Sequence, residues 1–189
     1  GASGTAAGIQ AARMGASTLI AEETPWLGGM LTSAGVSAVD GNYKLPSGIF
    51  GEFIDSLVAY YGSADALKTG WVSAVLFEPK VGNELFQQMT AKEKKLTVWQ
   101  NSKFISADKT KSGWKVQIAK NGLVKTITAK ILIDATELGD VAKACGVKYD
   151  IGMEARGVCG EDIAPEKAND IIQDLTYVMI LKDFGVDKT

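Results

Sequence analysis

Histidine is absent from the 189 residues. That excludes His-based triads, imidazole metal ligands and a histidine general base from this stretch. Cysteine is scarce: Cys145 and Cys159 are the two present, and they form neither a CxxC pair nor a zinc pattern. Ordinary thiols, a structural disulfide in an oxidising compartment, or a redox-active role are the readings open to them, and no metal site is expected. Charge of one sign is also lacking. With 20 basic and 22 acidic side chains the net charge is −2, so no basic excess is available for nucleic-acid backbones. The short run of Lys92, Lys94 and Lys95 reads as a solvated helix end. No run approaches the roughly 20 apolar residues of a membrane span. The chain starts at Gly1 without an initiator methionine, so its lack of a leader leaves the compartment open, and the oligomeric state is equally open. Chemistry is therefore left to a cofactor or to residues beyond Thr189.

What is present begins at once. Gly1-Ala2-Ser3-Gly4 has the form of the second half of a glycine-rich dinucleotide loop, Gly1 and Gly4 being its second and third glycines. A glycine at the first position lets backbone approach a pyrophosphate, and the helix that follows offers free N–H groups and a partial positive charge. Such a loop needs a strand before it, so the first strand is expected to be missing. Residues 3–14 form a helix with a small-residue face (Gly4, Ala7, Gly8, Ala11, Ala12) suited to close packing on a sheet, and Gly15 caps it. Residues 17–21 read as a buried strand. Glu22 ends it 18 positions after Gly4, near the spacing of an acid that accepts from ribose hydroxyls and disfavours a 2′-phosphate. Glu23 is the neighbouring candidate. Gly28 and Gly29 follow, as a plain turn or as backbone made bare for a long cofactor.

Helical periodicity returns at 50–61 and again from Pro79, a first-turn proline, with Val81, Leu85, Phe86 and Met89 inward. From Leu96 the period becomes two. Strands are predicted at 96–99, 103–107, 114–119 and 123–129, with Asn121-Gly122 the hairpin signal. A buried strand is expected at 130–134 and a short helix at 140–145. Beyond them, strands near 148–151 and 176–181 and a helix near 165–172 are expected.

The order of these parts carries a resemblance. A nucleotide-binding start, a helical insertion, a meander and then Ile131-Leu132-Ile133-Asp134-Ala135-Thr136-Glu137-Leu138-Gly139-Asp140 is similar to the FAD-binding domain of glutathione-reductase-like flavoproteins. Thr24-Pro25-Trp26-Leu27-Gly28-Gly29-Met30-Leu31-Thr32, Asp40-Gly41-Asn42, Gly70-Trp71-Val72, Phe77-Glu78-Pro79, Gly160-Glu161-Asp162-Ile163-Ala164-Pro165 and Gln173-Asp174-Leu175-Thr176-Tyr177 resemble bacterial FAD-dependent oxidoreductases, some of which bear the label xanthan lyase. The likeness covers essentially the whole chain. It implies an α/β, Rossmann-like FAD-binding domain with a parallel sheet, a β-meander crossover and a helical insertion. It further implies FAD as cofactor and oxidation of a small polar or carbohydrate-related substrate by hydride transfer. The cofactor-binding residues would be Gly1, Ala2, Ser3, Gly4, Glu22, Glu23, Gly28, Gly29, Met30, Thr32, Phe104, Ala135, Thr136, Gly139 and Asp140. Met30 to Ser37 would neighbour the flavin ring, with Thr32 and Ser33 either bonded to it or shaping a turn. Asp40, Glu78 and Tyr177 stand in family-like motifs, more in keeping with structural than catalytic roles, and no catalytic acid or base is assigned.

Two departures limit the likeness. Glu137 stands where much of the superfamily has glycine, and the CxxxxC pair of disulfide reductases is absent. The expected division is 1–41 and 96–146 for the FAD-binding domain, 42–95 for the insertion and 147–189 for the start of a substrate domain. The alternatives are a nicotinamide-dependent dehydrogenase, which would have no meander before Asp134, and a non-catalytic flavin or nucleotide-binding module.

Overall fold

A computed structural model describes residues 1–40, 44–45, 47–70, 73–175, 178, 181 and 185–186. The chain divides into two compact units, Gly1–Cys145 and Gly146–Thr189. In the first, helix α1 (Ala2–Arg13) leads into strand β1 (Thr18–Ala21). Helices α2 (Gly48–Tyr61) and α3 (Pro79–Ala91) precede β2 (Leu96–Trp99). β2 then returns to lie parallel to β1, from Thr18 opposite Leu96 to Ala21 opposite Trp99. Strands β3 (Ser102–Thr110), β4 (Gly113–Lys120) and β5 (Leu123–Ala129) form an antiparallel meander in the order β3-β4-β5. Helix α4 (Asp140–Ala144) closes the unit. This is the Rossmann-like α/β arrangement that the pattern predicts, with α2 and α3 between the parallel strands in chain order.

Local chemistry explains these elements. α1 ends in paired backbone bonds, Gly15 N–H to Ala12 O at 2.9 Å and Ala16 N–H to Ala11 O at 3.0 Å, with Gly15 in the left-handed region. Its glycine face allows close approach to the sheet: a Cβ on Gly8 would stand 2.5 Å from two carbons of the Ile20 side chain. Asn121 and Gly122 both have positive φ, 51° and 74°, the pairing that lets a two-residue turn follow the strand twist. Pro79 opens α3, which buries Val81, Leu85, Phe86 and Met89. They join Ile9 of α1, Leu27, Val39, Phe53, Leu57 and Phe77 in one core. Phe53 stacks on Phe86 at 4.4 Å between centroids and meets Phe77 edge-on at 5.4 Å. Outside the core, Arg13 donates to both Glu52 carboxylate oxygens at 2.6 and 2.8 Å and to Glu93 Oε1 at 2.8 Å. These bonds tie α1 to α2 and to the segment after α3.

Several expectations are corrected. Residues 130–134 do not form a buried strand: Ile131 and Ile133 are 78% and 60% exposed. They pair with no strand among the described residues. A parallel strand is stabilised by neighbours on its edges and layers on its faces, and this segment finds no edge partner. In the second unit, α5 (Arg156–Cys159) is the helix seen among the described residues, and 165–172 is not helical. Asn169 instead exchanges both backbone bonds with Met153 at 3.1 Å, and its side chain accepts from Ile171 N–H at 2.9 Å. Such a local side-chain bond competes with helix. Residues 148–151 form no strand, and Tyr149 and Ile151 stay exposed. The strand expected at 176–181, with Tyr177, falls largely outside the described residues, as do Gly41, Asn42, Trp71 and Val72. Among the described residues no helix is long and apolar enough to cross a membrane.

Candidate functional site

The site assembles where α1 starts. The first intrahelical bond runs from Thr5 N–H to Gly1 O at 3.0 Å, so the N–H groups of Ala2, Ser3 and Gly4 precede the helical ladder and point along its axis. Thr5 also turns its hydroxyl onto Gly1 O, at 3.0 Å, which fixes the turn. Two distant segments press on it. A Cβ on Gly29 would stand 2.6 Å from Gly1 Cα, and one on Gly4 would stand 2.7 Å from the Ala135 Cβ. A Cβ on Gly1 itself would stand 3.5 Å from the Ala135 carbonyl oxygen. Gly1, Gly4, Gly29 and Ala135 thus meet with nothing larger than a methyl group among them. Bare backbone beside free helix donors suits a diphosphate.

Glu22 lies beside this turn, where β1 and β2 end. Its backbone is held on both sides, by Trp99 O at 2.8 Å and by Ser102 N–H at 2.9 Å. Its side chain is 11% exposed. Oε1 accepts from the Thr24 N–H at 3.0 Å and lies 2.9 Å from the Thr24 hydroxyl, while Oε2 is 3.4 Å from the Gly1 nitrogen. One oxygen is therefore anchored within its own turn and the other faces the glycine segment. Glu23 is different: it is 68% exposed and paired at 3.5 Å with Lys103. Phe104 sits half-buried on β3, opposite Ile118, two residues beyond the Ser102 that bonds Glu22.

Gly28 and Gly29 both have positive φ, 104° and 54°, and open a 3-10 turn, Gly29–Leu31. Leu27 N–H before them donates to buried Asn83 Oδ1 at 3.0 Å, which fastens the turn to α3. Met30 is exposed at its tip. Thr32 is 1% exposed; its hydroxyl donates to Leu27 O at 2.5 Å and its N–H to Gly29 O at 3.0 Å. Both Thr32 donors are spent inside the turn, the shaping role. Ser33 likewise donates to Gly29 O, at 3.2 Å.

Across the site, Thr136 is exposed and its hydroxyl accepts from Asp140 N–H at 2.8 Å. Gly139, at φ 72°, precedes α4, and Asp140 stands in its first turn. Sequence reasoning passed over Asp134, whose carboxylate organises this segment. Partial desolvation works to raise it, but hydrogen bonds from the Thr136 side chain and backbone, with the Ala142 and Val141 N–H groups, overcome that. They hold the carboxyl below its ordinary range. The Asp-x-Thr spacing was the available signal, being that of an Asx turn. Away from the site, Asp40 is exposed. The Tyr61 hydroxyl donates to the Glu78 carboxylate and accepts from the Glu78 N–H at 3.0 Å, a structural use of Glu78.

A family model described as FAD dependent oxidoreductase matches residues 1–185. The chain belongs to that family. A comparison with curated proteins finds no match. Membership makes FAD the cofactor and redox chemistry the activity class, and the bare-backbone junction and the shielded Glu22 carboxylate fit that cofactor. A dinucleotide flavin needs a pyrophosphate seat and a ribose acceptor; bare backbone with free helix donors and a shielded carboxylate stand side by side here. The meander of β3 to β5 is also present, which the nicotinamide-dehydrogenase alternative does not accommodate.

Proposed function

We propose that unit Gly1–Cys145 holds FAD in an extended form and that the enzyme oxidises a small polar or carbohydrate-related molecule by hydride transfer. The observation that carries this reading is the meeting of Gly1, Gly4, Gly29 and Ala135 at the first turn of α1, next to Glu22. In this assignment the Ala2, Ser3 and Gly4 N–H groups bind the pyrophosphate, and Glu22 accepts from the adenosine ribose. Backbone near Phe104 borders the adenine, and the turn from Met30 to Ser37 lies towards the flavin ring. Thr32 serves by fixing that turn. Thr136, Gly139 and Asp140 serve through the segment that brings Ala135 into place, and Glu23 by its pairing with Lys103. Residues 42–95 act as an insertion on the nucleotide domain, and 147–189 open the substrate-selecting part.

When bound, FAD supplies a two-electron acceptor, and the protein contributes orientation and electrostatics. Glu22 also selects the cofactor, because a 2′-phosphate beside its carboxylate would set like charges together. The test is an absorption spectrum of the purified protein, followed by anaerobic addition of candidate sugars. Flavin bands that bleach with one sugar class support both parts of the proposal. Protein that is colourless and takes up no added FAD overturns the cofactor assignment; flavin that no sugar reduces overturns the substrate class alone.

A further inference from the structure

The segment from Asp134 to Ala142 is folded around one carboxylate. Asp134 Oδ1 accepts from Thr136 N–H at 2.8 Å and from the Thr136 hydroxyl at 2.7 Å. Oδ2 accepts from Ala142 N–H at 2.7 Å. Thr136 Oγ1 passes the constraint on by accepting from Asp140 N–H at 2.8 Å. Ala135 is the residue between the two members of this clamp, and it lies against the glycine turn, beside Gly4 and Gly1.

We propose that Asp134 is a positioning residue for FAD, acting through Ala135 to set the clearance at the pyrophosphate-binding turn. This rests on the FAD assignment above. The clearance leaves little room in one direction, and in the other the segment is held by its own bonds. A Gly4 Cβ would already overlap the Ala135 methyl, at 2.7 Å, so inward drift of Ala135 crowds the backbone on which the phosphates sit. Outward drift is resisted by the segment's own bonds, which run from Thr136 and Ala142 to the Asp134 carboxylate. The carboxylate holds this segment by charge-assisted bonds, one oxygen taking both Thr136 donors and the other the Ala142 N–H. Its bond to Ala142 also caps α4, so the positioning role must be separated from capping by experiment.

The experiment uses the flavin-loaded full chain and three variants: Asp134→Asn, Thr136→Val and Thr136→Ser. Thr136→Val removes the hydroxyl from the clamp without touching charge, and Thr136→Ser restores it. The readouts are the FAD dissociation constant from flavin fluorescence, the phosphorus NMR shifts of the bound pyrophosphate, and melting of the apoprotein. Asp134→Asn and Thr136→Val are expected to raise the dissociation constant about tenfold, the scale of one charged hydrogen bond. Both should move the phosphorus resonances, and Thr136→Ser should return both readouts to wild-type values. Lower melting with unchanged affinity and unchanged phosphorus shifts would overturn the proposal, leaving the carboxylate a helix cap. A Thr136→Ser variant as impaired as Thr136→Val would overturn it too. If Asp134→Asn does not fold, the Thr136 pair decides. Wild-type protein that binds no FAD overturns the cofactor assignment and the positioning role with it, an outcome distinct from variants that bind as wild type does.

Discussion

Gly29→Ala should cost the protein its cofactor more than its fold. Two penalties act at this position. The backbone sits at φ 54°, in the left-handed region, where a Cβ costs about 1–2 kcal/mol. That Cβ would also stand 2.6 Å from Gly1 Cα, and the backbone must retreat by about 0.8 Å to reach ordinary contact near 3.4 Å. The retreating atom belongs to Gly1, which opens the proposed pyrophosphate turn. Overpacking of this kind costs about 1–3 kcal/mol, and if half of that falls on the bound geometry, FAD affinity drops about two- to tenfold.

Gly62→Ala is the matched control. Gly62 caps α2 at φ 88° and a Cβ there meets nothing within 4 Å, so it carries the backbone penalty without the contact. Both variants should melt a few degrees lower as apoprotein, since about 1 kcal/mol moves the midpoint of a domain this size by roughly 2–6 °C. Only Gly29→Ala should lose flavin on dialysis and show a raised dissociation constant by fluorescence titration. Equal flavin retention in the two variants would refute the assignment of Gly29 to the cofactor site.

Glu22→Ala should weaken FAD retention by about tenfold, the loss of a charged hydrogen-bond acceptor, and unchanged flavin occupancy after dialysis would count against its ribose role. Asp134 has a folded pKa depressed below its ordinary 3.8, so its stabilising contribution is fully present above that value and fades as pH falls through the folded pKa. The melting difference between wild type and Asp134→Asn should therefore be flat above about pH 5 and close below the ordinary value; a gap that persists in acid would show that the carboxylate charge is not its source. Arg13→Met should lower stability by about 1 kcal/mol or less, because Glu52 in its triad is 47% exposed and largely screened. The same variant should lose most of its difference from wild type in high salt, and an unchanged difference would point to packing rather than charge.

The parts legible in the sequence are those whose cause is local. Asn121-Gly122 makes its own turn, Pro79 starts its own helix, and the α1 glycines announce close packing before any partner is known. Parts that depend on a distant neighbour were misjudged. Ile131-Leu132-Ile133 has strand composition, but a strand forms only when an edge pairs with it. Asn169 left a helical pattern because Met153 offered a bridge that no window around 165–172 reveals.

The paired glycines show how this limit reaches the site. Gly28 and Gly29 are adjacent, share positive φ and look interchangeable as sequence. Their surroundings divide them: a Cβ on Gly28 would strike the Phe86 ring at 2.7 Å, whereas one on Gly29 would strike Gly1 at 2.6 Å. The first glycine is therefore a core residue, small so that the 3-10 turn can lie against α3. The second is small so that two backbone segments can meet beside free helix donors. Gly1 and Ala135 are separated by most of the unit, and Gly29 lies far from both in sequence, so no local motif states that the three converge. A glycine motif reports that backbone must come close to something; whether that is a phenylalanine ring or another glycine separates core packing from the proposed cofactor junction, and only the fold contains that information.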